Sequence, residues 1–170
     1  LVFSYLTKRA SYKRRKDESI LWALPLTFLV LASLAVFFPI FMGNGQVLAQ
    51  ALLSNQSIPY IPLTLAVKGL LVYLFLRNGA YGGTLTPSFA LGVGAGYLVT
   101  LIFAAVGIHL NPTLGMLLGA TVFLGTTLQA PLTAIALSIG FTGQPWSSTI
   151  PLVLAAGVSY MIRKRWEEKG

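Results

Sequence analysis

The sequence predicts an all-α polytopic membrane protein, built of broken, tilted helices of unequal length. Three observations carry this. Of the 170 residues 55% are apolar and only 9% charged, against about 25% charge in a soluble domain, and mean hydropathy is +0.76. Ten of the twelve Lys and Arg residues lie at the two ends, and between residues 19 and 162 the only charges are Lys68 and Arg77. Seventeen glycines and nine prolines then cut the apolar stretch into pieces, several of them shorter than the roughly 20 residues a helix needs to span a bilayer.

Taken in order, residues 1–19 read as a basic cytoplasmic segment carrying Lys8, Arg9, Lys13, Arg14, Arg15 and Lys16, residues 20–163 as the transmembrane part, and residues 164–170 as a charged tail. Basic clusters flanking apolar spans mark the cytoplasmic side, so both ends are expected there. Ile20 to Met42 is predicted as the clearest spanning helix, with Pro25 near its start and Pro39 near its end. Gly43-Asn44-Gly45 closes it, since Gly and Asn supply left-handed conformations. A short helix over 46–54 follows, then a loop to Pro62 and a long helix from Leu63 to Arg77.

The stretch from Asn78 to Pro87 has three glycines and no helical period. Irregular backbone is not tolerated facing lipid, so it belongs at the surface or inside protein. From Thr86 or Pro87 a helix is predicted to about Ile108, with Pro87 in its first turn. Further helices are expected from Thr113 to Thr127, from Pro131 to Ser138 and, after a loop over 140–145, from Ser147 to Arg163. The total is six or seven pieces. The pairs Gly92/Gly96 and Gly115/Gly119 are small-xxx-small patterns that let helix backbones approach. With Leu1 in place of Met and no short apolar leader, the chain reads as a piece of something longer rather than as a signal-bearing protein.

Enzymatic chemistry finds little to work with, and the chain is read as a non-enzyme without cofactor. The carboxylates are Asp17, Glu18, Glu167 and Glu168, all in the end clusters, and cysteine is absent. The single histidine, His109, stands beside a helix break and reads as interfacial. No metal-ligand spacing occurs. The basic run before Ile20 is also the composition of a nucleic-acid arm, but it leads straight into an apolar span, which makes the lipid bilayer the partner and leaves nucleic acid out.

An interior without carboxylates, but with glycine-rich breaks at helix starts, suits an anion. Free backbone N–H groups at a helix N-terminus act as roughly half a positive charge. Gly83, Thr84, Leu85, Thr86 and Pro87 are therefore the candidate anion-binding residues, with the threonine hydroxyls as further donors. The same residues also read as a plain surface turn between spans. Lys68, in the middle of a helix, is expected to face protein or water, adding positive potential near an anion path or pairing with a carboxylate. Ser147 and Ser148 read as helix caps.

Three segments resemble a known family. Gly82-Gly83-Thr84-Leu85-Thr86-Pro87 followed by Ala90-Leu91-Gly92 is similar to the G-G-x-F-x-P…A-L-G signature of the CLC chloride channels and chloride/proton antiporters. Gln129-Ala130-Pro131-Leu132-Thr133-Ala134-Ile135 is similar to that family's R-A-P-L-T-G-I segment, and Gly43-Asn44-Gly45 to its glycine-rich break. The resemblance covers the C-terminal half of the family's membrane domain, one of two inverted repeats that hold the anion between them.

What the resemblance implies is transport of a small inorganic anion, chloride first, with the backbone N–H groups of Thr84 and Leu85 touching the central ion. It implies an N-terminal half as partner, a homodimer formed through the Ala130–Ser138 and Ser147–Arg163 helices, and residence in a cell or inner membrane. Leu85 replaces the family's phenylalanine, which leaves another halide, fluoride included, or nitrate open as the ligand. Gln129 stands where arginine is common and Gly140 where many members carry glutamate. The alternative reading is a truncated, transport-inactive scaffold or interaction module.

Overall fold

The computed structural model describes residues 2–54, 56, 58, 60–143 and 149–167. Among these it is all-helical, with eight α-helices: α1 (Val2–Tyr12), α2 (Ile20–Phe37), α3 (Gln46–Leu53), α4 (Ile61–Arg77), α5 (Leu85–Ala105), α6 (Pro112–Leu128), α7 (Pro131–Thr142) and α8 (Thr149–Glu167). A 3-10 turn, Pro39–Phe41, lies between α2 and α3. By length and composition α2 and α5 are each able to cross a membrane.

The helix expected over 20–42 is broken. It ends at Phe37, because Phe38 precedes Pro39 and adopts φ −135°, ψ 84°; the proline ring disfavours helical geometry in the residue before it. At about 1.5 Å per residue, the 18 residues of α2 reach about 27 Å. The Gly43-Asn44-Gly45 stop has the expected geometry, with Gly43 at φ +61° and Gly45 at φ +106°.

The helix expected to end at Ser138 instead continues through Gly140 to Thr142 and closes on Gly143 at φ +62°, whose N–H bonds the Ile139 carbonyl at 2.9 Å. The expected loop over 140–145 is thus corrected in its first part; Gln144, Pro145 and the caps Ser147 and Ser148 lie outside the described residues. The predicted helix to Ile108 stops at Ala105, where Gly107 at φ +88° turns the chain. Asn111 then caps α6, its Oδ1 accepting from the Thr113 N–H at 3.0 Å and the Leu114 N–H at 3.4 Å. His109, in that break, is exposed.

An element not read from the sequence is α1. Its buried face is Ser4, Thr7 and Ala10, small residues that hydropathy does not flag, and it lies on α4, with the Phe3 ring tilted at 47° to that of Phe123 on α6, centroids 5.4 Å apart.

The closest helix pair is α5 with α6. Gly92 and Gly96 face Gly115 and Gly119: a Cβ on Gly92 would come within 2.7 Å of the Ala120 Cα, and one on Gly96 would overlap the Gly115 carbonyl. In a bilayer apolar surface gains nothing by leaving lipid for protein, so close backbone contact and hydrogen bonds hold helices together. Buried Thr121 Oγ1 on α6 and Ser138 Oγ on α7 lie 2.9 Å apart. Around this pair Leu48, Leu52, Phe89, Val93, Met116 and Leu124 form the main core. α2, by contrast, buries only Thr27. It is tied to α4 by the Asn78 Nδ2 bond to Thr27 Oγ1 at 2.8 Å and by the edge-on pair Phe28 and Phe75.

Candidate functional site

Helix α5 begins at Leu85 with Thr84 as its N-cap, and no side chain caps it. The first helical bond runs from the Ser88 N–H to the Thr84 carbonyl at 2.9 Å. That leaves the amides of Leu85 and Thr86 without an intrahelical acceptor, as at any helix start, while Pro87 has no N–H to offer. A hydrogen-bond-poor N-terminus of this kind is a place for an anion.

These residues open on a cavity of about 250 Å³. Gly82, Gly83, Thr84 and Pro87 line it together with Gly43, Asn44 and Lys68, and Phe28, Leu71 and Phe75 supply apolar wall. Of the five residues proposed from sequence, Gly83, Thr84 and Pro87 line the cavity and Leu85 and Thr86 do not; the Leu85 side chain sits against the main core. A side chain at Gly82 or Gly83 would meet open space, so neither glycine is required by crowding. Both stand exposed.

Two breaks are brought together here. The Gly45 backbone lies against the first turn of α5: a Cβ on it would come within 2.8 Å of the Ala90 Cβ and 3.7 Å of the Pro87 Cα. The first of these breaks is held to α4 by Lys68, only 2% exposed. Its Nζ donates to the carbonyls of Phe41 at 2.8 Å and Gly43 at 2.7 Å, with the Met42 carbonyl at 3.5 Å. Of the partners weighed from sequence, Lys68 thus takes protein carbonyls rather than a carboxylate. Sequence reasoning saw Gly43-Asn44-Gly45 as a helix stop and not as a wall of the site.

A second missed feature lies beside Gly82. The Arg14 guanidinium sits 4.1 Å over the Tyr81 ring, and the Arg15 N–H bonds the Arg77 carbonyl at 3.0 Å. The basic lead is thereby folded back onto the turn that enters α5.

The fold and the site define a class: an all-helical protein of short, broken helices, among the described residues, in which two glycine-rich breaks share one cavity. A family model described as voltage gated chloride channel matches residues 1–164, and the chain belongs to that family, the CLC chloride channels and transporters. No curated protein and no solved structure matches it.

Proposed function

We propose that the chain is the C-terminal half of a CLC-type channel or anion/proton antiporter that carries a small inorganic anion, chloride foremost. The anion is held by backbone N–H groups at the start of α5, those of Thr84 and Leu85, with the Thr84 hydroxyl as a further donor. The observation that carries this reading is the uncapped α5 N-terminus opening on a cavity whose one charged wall residue, among the described residues, is Lys68. Between Glu18 and Glu167 the sequence holds no carboxylate to repel an anion. Backbone dipoles fixed in advance replace the ion's water shell without having to reorient.

The N-terminal half supplies the facing wall of the cavity, and a second copy docks on α7 and α8. Leu132, Ile150, Leu154 and Met161, all more than half exposed, support that docking face. Both termini lie on the cytoplasmic side, where the terminal basic clusters belong.

The test is chloride flux from proteoliposomes holding the chain with its N-terminal half. Gly83→Trp is expected to cut flux by filling the cavity. Unchanged flux in that variant would remove the assignment of the site. The chain alone is expected to give no flux; flux from it alone would overturn its role as one half.

A further inference from the structure

The carbonyls of Phe41, Met42 and Gly43 are consecutive, and they stand at the end of the 3-10 turn that follows α2. Among the described residues no backbone N–H is paired with them; their donor is Lys68. Gly43 lines the same cavity as Gly83 and Thr84. Without the ammonium, the Gly43 carbonyl oxygen would stand unpaired at that cavity and those of Phe41 and Met42 unpaired behind it, an arrangement that attracts cations and is unfavourable in a membrane.

The balance of charge runs the other way once Lys68 is counted. Three carbonyls offer only partial negative charge, and with no carboxylate between Glu18 and Glu167 the chain supplies no counter-charge. The ammonium has three N–H groups, and only two of them have short bonds, to Phe41 and Gly43. A net positive charge is left at the wall of the cavity that Thr84 and Pro87 also line.

We infer that Lys68 sets the sign of the field in this cavity. It neutralises the carbonyl end of the α2–α3 break and leaves an uncompensated charge that makes the cavity select anions over cations. This rests on the anion-site reading above and adds to it a residue that determines specificity from behind the break, through the carbonyls it holds.

Lys68→Gln separates the charge from the clasp, because an amide keeps N–H donors for the carbonyls and loses the charge; Lys68→Arg keeps the charge. In KCl-loaded proteoliposomes the wild type and Lys68→Arg are expected to release chloride in preference to potassium. Lys68→Gln is expected to weaken chloride binding by about tenfold or more, the scale of one nearby charge at intermediate dielectric, and to admit potassium. Wild-type chloride affinity and selectivity in Lys68→Gln would overturn the inference.

Should Lys68→Gln fail to fold, Asn44→Asp decides. It keeps Lys68 and its bonds, and it sets a negative charge on the same cavity wall. The same loss of chloride affinity is expected, and no loss would overturn the inference. If Gly83→Trp cuts flux while the Lys68 and Asn44 variants change nothing, the anion site stands and only the role of Lys68 falls.

Discussion

Lys68 Nζ lies 2.7 Å from the Gly43 carbonyl oxygen, 25 positions away in the chain. This bond joins the middle of α4 to the break after α2, one of the two glycine-rich breaks that share the cavity. Removing it should be felt in stability as well as in transport.

Lys68→Met replaces the ammonium by an apolar group of similar length and leaves the Phe41 and Gly43 carbonyls without a donor. An orphaned buried acceptor costs about 1–3 kcal/mol. A thermal melt in detergent should show a lower midpoint for Lys68→Met than for Lys68→Gln, which keeps amide donors. Equal midpoints would mean that the carbonyls find water instead.

Gly96→Ala adds a methyl group where the Gly115 carbonyl already stands. Separating α5 from α6 should cost at least the about 1–3 kcal/mol of an overpacked core. The readout is loss of monodisperse protein in size-exclusion chromatography. Gly140→Ala, whose new methyl group meets open space on α7, serves as the tolerated control.

Thr121 and Ser138 form a buried hydroxyl pair at 2.9 Å between α6 and α7. A double-mutant cycle with Thr121→Val and Ser138→Ala should give a coupling of about 0.6 kcal/mol, the average for such bonds in membrane proteins. Denaturant unfolding of the four variants measures it.

Gln129 ends α6 with φ +59° and ψ 22°, a left-handed conformation that costs a side-chain-bearing residue roughly 1–2 kcal/mol. Gln129→Gly should therefore raise the melting midpoint or leave it unchanged, while Gln129→Val, β-branched, should lower it.

Much of the architecture was legible in the sequence, because glycine, proline and asparagine mark helix ends through their own backbone chemistry. The breaks at Gly43–Gly45, Asn78–Gly83 and His109–Pro112 fall where those residues cluster. What escaped had other causes. The kink at Phe38 is imposed by the following proline, and Gly140 sits inside α7 because a lone glycine weakens a helix without ending it. α1 hides its packing face in Ser4, Thr7 and Ala10. The site was legible in one half only: the α5 N-terminus announces itself by a glycine-rich turn before Thr84, whereas the carbonyls held by Lys68 come from residues 25 to 27 positions away, and no local pattern records that contact.

An anion at the start of α5 is located directly by anomalous diffraction. Crystals of the protein grown in bromide should show an anomalous peak within hydrogen-bond distance of the Thr84 and Leu85 amides, and Gly83→Trp should abolish it. Bromide bound elsewhere, with that position empty in the wild type, would contradict the account.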